Sequence, residues 1–250
     1  MPLDNFVALE GAKNFRDAGG HATDDGASVR RGVLFRSGSM EALTDADHAM
    51  LAPLNVRLIF DLREDAERAA EPTRWPGPVI RSWADAPDAE GWESVMGRHP
   101  TTAAGVRAFY ADYYRAIAMD FAPRIGEVVR AIAADEGPVV VHCAAGKDRT
   151  GISIAVLLAL LGVPRAAIVA DYMLSDQRYR PAPRATDDQW AGWPEDAVAA
   201  MFGTEEAHLD AAFAAIEAGY GSLAEYTRRG MGIDDATLTR YRAAMLNPAS

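Results

Sequence analysis

A single cysteine, Cys143, serves the whole chain of 250 residues, so neither an internal disulfide nor a Cys-rich zinc site can form within it. That scarcity suits a reducing compartment, and it leaves Cys143 without a resolving thiol. Lysine is almost missing too. Only Lys13 and Lys147 occur against 23 arginines, so the two ammonium groups stand out as choices. Positive charge is in deficit overall, 25 basic against 36 acidic residues and a net charge of −11, which repels nucleic acid and anionic membrane surfaces. Any anionic ligand must be held by a local positive pocket. No run approaches the ~20 apolar residues of a membrane-spanning helix, so stable membrane insertion is not expected. Residues 1–17 show no basic region followed by an apolar core, so the cytoplasm is the expected location by default, although leaderless export would leave no mark in the sequence. The five histidines, at 21, 48, 99, 142 and 208, lack metal-ligand spacing. No metal or other cofactor is expected, and the oligomeric state is not specified.

What is present suits a folded α/β chain. With 49% hydrophobic residues the length supports one sizeable core, read as a single domain over 1–250, with a core about 1–180 and a helical lid and C-terminal helices about 181–250. Short β-branched runs at 33–36, 56–61, 79–83 and 139–142 read as strands. Helical spacing fills the intervals: 44–54, capped by Thr44, and 104–134, divided by Pro123. Residues 152–161 are apolar nearly all round, as in a helix buried against a sheet, and a further helix runs to about 178. The stretch 180–203 reads as an irregular connection carrying Trp190 and Trp193. Helices are expected at 205–218, 222–229 and 235–246, as an appended layer. The alternation predicts a central, mostly parallel sheet flanked by helices.

The chemistry concentrates in VVVHCAAGKDRTG, 139–151. A strand that turns sharply into a helix aims several backbone N–H groups at one spot, which suits a doubly charged phosphate monoester. Ala144, Ala145 and Gly146 keep side chains out of that cradle, and Gly146 can take a positive φ. Arg149 can grip two phosphate oxygens at once. The same field favours the thiolate of Cys143 as a nucleophile. Thr150 can donate its hydroxyl to sulfur when sulfur leaves. A free cysteine is more often a small buried hydrophobe, and a bare Cys-to-Arg spacing is common; the whole string of strand, His142, Cys143, small residues, Arg149, Thr150, Gly151 and apolar helix is what lifts the signal.

HCAAGKDRTG resembles the signature loop of the cysteine-dependent protein tyrosine and dual-specificity phosphatases. Its GKDRTG ending is similar to the atypical bacterial branch typified by the mycobacterial protein tyrosine phosphatase B, which acts on phosphotyrosine and often on phosphoinositides. NFRDAGG at 14–20, LFRSG at 34–38, DLR at 61–63, VADYMLS at 169–175 and YGSLAEY at 220–226 extend the resemblance over nearly the whole chain. It implies a tyrosine-phosphatase-like fold with a helical lid, Cys143 as nucleophile, Arg149 as phosphate-binding arginine, Lys147 as the loop lysine linked to phosphoinositide acceptance, no metal, and a phosphorylated protein or phospholipid headgroup as substrate.

Departure of an alkoxide needs a proton donor. Asp85, in the acidic loop that follows the third strand, is the first candidate and Asp148 the second; the usual Trp, Pro, Asp order is absent around Asp85. Asp85 and Asp88 also read as turn formers. Asp61 with Arg63, and Arg16 with Asp17, are expected to be structural ion pairs, and His142 to orient the loop. Two other functions compete. FDLREDAE resembles an element of the rhodanese-like sulfurtransferases, although their loops lack the Arg, Thr, Gly ending, and an arsenate reductase would need a second thiol. A phosphate-binding module without turnover would follow from loss of the acid.

Overall fold

The structure, a computed structural model, describes residues 5–85, 92–179, 190 and 192–248. Five strands form one sheet in the order β1 (Arg16–Asp17), β3 (Leu34–Ser37), β6 (Val139–His142), β4 (Leu58–Asp61) and β5 (Val79–Ser82). β6 is parallel to both β3 and β4, and β5 is parallel to β4; only β1 runs antiparallel, to β3. A second, two-stranded ribbon joins β2 (Ser28–Val29) to β7 (Leu246–Asn247), a pairing of two-residue strands too short for a sequence pattern to announce.

Side chains alternate between two cores, as the period of a strand requires. Val139, Val141, Leu58, Phe60 and Leu34 face the larger core, while Val140, Ile59 and Phe35 face a smaller one with Phe15 and Leu51. Burying each valine is worth roughly 1.5–3 kcal/mol. Val79 and Ile80 on β5 stay exposed, so β6 and not the sheet edge anchors the packing.

The helices follow from local rules. α1 (Asp45–Leu51) is capped by Thr44, whose hydroxyl accepts from Asp47 N–H. α4 (Ala103–Asp120) and α5 (Ala122–Ala133) divide at Pro123, which sits in the first turn of α5 where its missing N–H costs nothing. α2 (Asp65–Ala70) and α3 (Trp92–Met96) are short. α6 (Asp148–Leu160) begins four residues before the apolar pattern does, because the polar Asp148, Arg149 and Thr150 form its first turn. α7 (Arg165–Tyr179) follows.

Two expectations about the C-terminal part need correction. The stretch 180–203 contains a helix, α8 (Glu195–Phe202), entered through Pro194; residues 180–189 and 191 lie outside the described residues. The helices after it, α9 (Glu206–Tyr220), α10 (Leu223–Glu225) and α11 (Asp235–Met245), are not a layer set apart. Leu209, Ile216, Tyr226, Tyr241 and Met245 share the larger core with α4 and α6. Their hydroxyls are paired as well: Tyr226 donates to Ala118 O at 2.6 Å and Tyr241 to Leu157 O at 3.1 Å.

A buried charge cluster joins the sheet to α7. Arg16 Nε lies 3.1 Å from Asp171 Oδ1, Arg36 lies 2.7 Å from Oδ2, and Ser175 Oγ accepts from both guanidinium groups. The expected partner of Arg16, Asp17, instead accepts from the N–H groups of Gly19 and Gly32, each at 2.7 Å. Burial and the neighbouring Arg36 bring Arg16 down to about 10. Burial alone would raise Asp171, but Arg16 and Arg36 hold it down at about 2. A carboxyl lowered on folding stabilises above its unfolded pKa of ~3.9 and loses that contribution as pH falls toward its folded value. Asp171→Asn is therefore expected to cost about 3–5 kcal/mol at neutral pH in urea unfolding. It should also remove part of the acid-induced loss of stability between pH 4 and 2.

Candidate active site

The strand register brings Ser37, His142 and Asp61 into one row at the carboxyl ends of β3, β6 and β4. Ligand-binding clefts of open parallel sheets form at that edge. Cys143 leaves β6 there, and the chain turns through 144–147 into α6. The turn is held from outside by its carbonyl groups. Ala144 O accepts from Ser39 N–H at 2.8 Å, Ala145 O from Asn14 Nδ2 at 3.3 Å, and Gly146 O from Asn14 Nδ2 at 2.9 Å and Arg36 at 2.7 Å. With the oxygens drawn outward, the interior of the turn is left to N–H groups. Gly146 has φ +67°, and a Cβ there would stand 2.5 Å from Ser37 O.

His142 is fully buried, with Nε2 3.4 Å from Asp61 Oδ2 and Nδ1 3.3 Å from Cys143 O. Asp61 also takes a two-pronged bond from Arg63, at 2.9 and 2.7 Å, as expected of a structural pair. Burial would raise the Asp61 carboxyl, but His142 and Arg63 hold it far below the usual range.

Arg149 is pinned by Glu67, which accepts from its two terminal nitrogens at 2.5 and 2.8 Å. Burial opposes both charges; the pairing nonetheless raises Arg149 and lowers Glu67. A guanidinium has two forks. Glu67 takes the terminal one, and the side fork of Nε has no partner among the described residues.

Lys147, expected to meet substrate, lines the cavity but spends its ammonium inward. Nζ donates to Tyr110 OH at 2.9 Å and to Gly203 O at 3.0 Å, lies 3.3 Å from Asp148 Oδ1, and sits 4.2 Å over the Tyr110 ring. Burial disfavours its charge, yet Asp148 and the tyrosines outweigh burial and raise it. Asp148 Oδ1 further accepts from Tyr114 OH at 2.6 Å, which meets Tyr172 OH at 2.6 Å, and Tyr172 meets His208 Nδ1 at 3.1 Å. Burial, with Lys147, brings His208 down to about 4.

A cavity of about 840 Å³ opens over this loop. Cys143, Ala144, Ala145, Lys147, Asp148 and Arg149 all line it. Asp85 does not: it is exposed, and its Oδ2 accepts from Asp65 N–H at 2.9 Å at the start of α2. Asp88 lies outside the described residues. Gly146 is not part of its lining, and Thr150 Oγ1 is buried with no hydrogen-bond partner among the described residues, Cys143 included. Sequence reasoning missed Glu64 and Glu67, which line the cavity, and its walls of Trp92, Tyr110, Tyr113 and Phe202. The signal available for the two glutamates was their place just after a strand bordering β6. No cluster of three or more metal-ligating side chains occurs among the described residues. Nor is any helix among them long and apolar enough to cross a membrane.

A sequence profile described as "Tyrosine phosphatase family" matches residues 7–247. A Cupriavidus necator protein named as a tyrosine-protein phosphatase is 32% identical over 247 residues, 95% of this chain and 88% of its own. The triple specificity protein phosphatase PtpB of Mycobacterium tuberculosis is 32% identical over 276 residues, covering 95% of this chain and 98% of PtpB. The solved structure of P. aeruginosa TpbA is 20% identical with a TM-score of 0.31, over 78% of this chain and 97% of TpbA.

Gly146→Ala forces a Cβ against the backbone of Ser37 and so displaces the turn. A misplacement of ~1 Å costs about 10²-fold in rate, so kcat is expected to fall by about that factor while the far-ultraviolet circular dichroism spectrum stays that of the wild type.

Proposed function

The chain belongs to the tyrosine phosphatase family, and from that membership we propose that Cys143 is the nucleophile of a phosphomonoester hydrolase whose phosphate cradle is the turn 144–147 with Arg149. The supporting observation is the joint one at the floor of the cavity: Cys143 at the end of β6, loop carbonyls bonded to groups outside the turn, and a guanidinium with its terminal fork on Glu67 and its side fork without a partner among the described residues.

The reaction follows from that arrangement. The ester's phosphoryl oxygens take the N–H groups of the turn and the open fork of Arg149, which neutralise the charge spread over the equatorial oxygens. The thiolate attacks phosphorus in line with the ester oxygen, a cysteinyl phosphate forms, and water then releases phosphate and regenerates the thiolate. Glu67 keeps the guanidinium from rotating between these two displacements. A sulfurtransferase is not favoured by the family membership.

The substrate class we infer is a phosphorylated protein, with phosphotyrosine first. Trp92, Tyr110 and Tyr113 give the cavity aromatic walls that suit a flat phenyl ester. A relative named for triple specificity, and a cavity of about 840 Å³, support acceptance of other phosphate esters as well. For a phosphoinositide headgroup, Lys147 would act through the fold of the loop, since its ammonium is already bonded to Tyr110 and Gly203.

Purified protein is expected to hydrolyse p-nitrophenyl phosphate in the presence of EDTA. Arg149→Lys, which loses the two-pronged grip, should reduce kcat by about 10²–10³-fold. Cys143→Ser should abolish turnover while retaining phosphotyrosine binding; turnover that survives this substitution ends the assignment.

A further inference from the structure

α4 presents three tyrosines to the phosphate loop, because positions 110, 113 and 114 fall on one face of a helix. Two of their hydroxyls are committed. Tyr110 OH accepts from the Lys147 ammonium at 2.9 Å and donates to Met201 O, and Tyr114 OH donates to Asp148 Oδ1 at 2.6 Å. These bonds fasten α4 to the two residues that immediately precede Arg149. Tyr113 shares their face of the helix and lines the cavity together with Cys143 and Arg149.

The third hydroxyl stands differently. Tyr113 is only 6% exposed, yet its hydroxyl has no hydrogen-bond partner among the described residues. That oxygen is not sealed in the core, as the unpartnered Thr150 Oγ1 and His208 Nε2 are, and the cavity is what Tyr113 borders. The ring is held in place: it stacks on Phe109 with centroids 5.4 Å apart and 14° between the planes, and Phe109 is itself fully buried against Trp92. Arg149, Asp148, Cys143 and Glu64 are the charged or ionisable groups that act on the hydroxyl, and Tyr113 acts on Arg149 in turn. Burial pushes the Tyr113 phenol up; Arg149 opposes, while Asp148, Cys143 and Glu64 add to the rise. A phenol so shifted keeps its proton at neutral pH and is a donor beside an anion.

We propose, resting on the phosphatase reading above, that Tyr113 is a further catalytic residue, whose hydroxyl donates a hydrogen bond to a non-bridging oxygen of the phosphoryl group as it passes to and from Cys143. Sulfur and the Arg149 guanidinium hold those oxygens between them, and the unpartnered hydroxyl faces both. In the transition state the three non-bridging oxygens spread into a plane and share the charge. A donor fixed by the Phe109 stack is aimed before the reaction begins, so it stabilises that charge without having to reorient. The proton stays on the tyrosine in both displacements, so no bond to it breaks and water remains the only co-reactant.

Tyr113→Phe tests this, since it keeps the ring and its stack and removes only the oxygen. Because that oxygen holds no hydrogen bond in the fold, the urea midpoint is expected to be unchanged or higher. In contrast, kcat/KM on aryl phosphates should fall about 10²-fold. The loss is expected to be equal from 2,4-dinitrophenyl to unsubstituted phenyl phosphate, because the non-bridging oxygens are common to the series. Vanadate, which takes up the five-coordinate geometry of the transition state, should show a Ki raised by the same factor, and tetrahedral inorganic phosphate a Ki raised by less than about tenfold. Wild-type kcat/KM in Tyr113→Phe, or a rate loss with the vanadate Ki unchanged, overturns the assignment. So does a loss that grows as the leaving group becomes poorer, which places the hydroxyl on the ester oxygen, and so does a lowered urea midpoint, which makes its role structural. A wild type inert on every ester, or a Cys143→Ser variant that still turns over, overturns the phosphatase reading and not merely the role of Tyr113.

Discussion

Three carbonyl oxygens facing the wrong way would cancel the site. A phosphate cradle needs N–H groups inward, so the oxygens of Ala144, Ala145 and Gly146 must find donors outside the turn, and each does: Ser39 N–H, Asn14 and Arg36. Arg36 can spend an N–H on Gly146 only because Asp171 balances its buried charge, and Asp171 comes from α7, beyond the helix that the turn introduces. The geometry of the turn therefore depends on a charge cluster that spans β1, β3 and α7.

The cations of the site are distributed by the same economy. In a chain of net charge −11, positive charge near the phosphate is local and each cation carries its own carboxylate. Arg149 gives its terminal fork to Glu67, and among the described residues its other edge meets no partner, so on the proposed reading anchoring and phosphate binding use different edges of one plane. Lys147 has no such second face. Its ammonium binds Tyr110 and Gly203 and so fastens the loop to α4 and to the segment between α8 and α9. Aromatic walls from α3, α4 and α8 close the cavity around a small charged floor.

Much of this was legible in order along the chain. The runs near 34, 58 and 139 are strands whose β-branched and aromatic residues alternate between two cores, the run near 79 is an exposed edge strand, and Pro123 falls where α4 gives way to α5 because an imino nitrogen cannot continue a helix. Gly146 announced a positive φ within a phosphate-sized turn. Less was legible where partners are far apart in the chain. Arg16 pairs with Asp171 and not with its neighbour Asp17, and α8 hid in a stretch rich in Pro and Ala that reads as a connection. The helices from α9 to α11 gave their apolar faces correctly but not their destination, which is the main core. Lys147 was singled out rightly as unusual, yet the rarity of lysine carries no information about where its ammonium points.

By itself the sequence determined the chemistry on offer: one sulfur at a strand end, small residues after it, an arginine six residues on, and a strand and helix order that makes a parallel sheet. These are local properties, set by backbone sterics and side-chain type within a few residues. Only the tertiary structure decided which groups hold the loop open, which fork of Arg149 Glu67 takes, and which carboxyl groups line the cavity. Those choices depend on strand order, on β4 and not β5 lying beside β6, and on burial, which bring together residues as far apart as Arg16 and Asp171, separated by 155 positions. A carboxyl that looks equivalent on paper becomes an anchor for an arginine, as Glu67 and Asp171 do, or a helix cap, as Asp47 does, according to the neighbours that folding gives it.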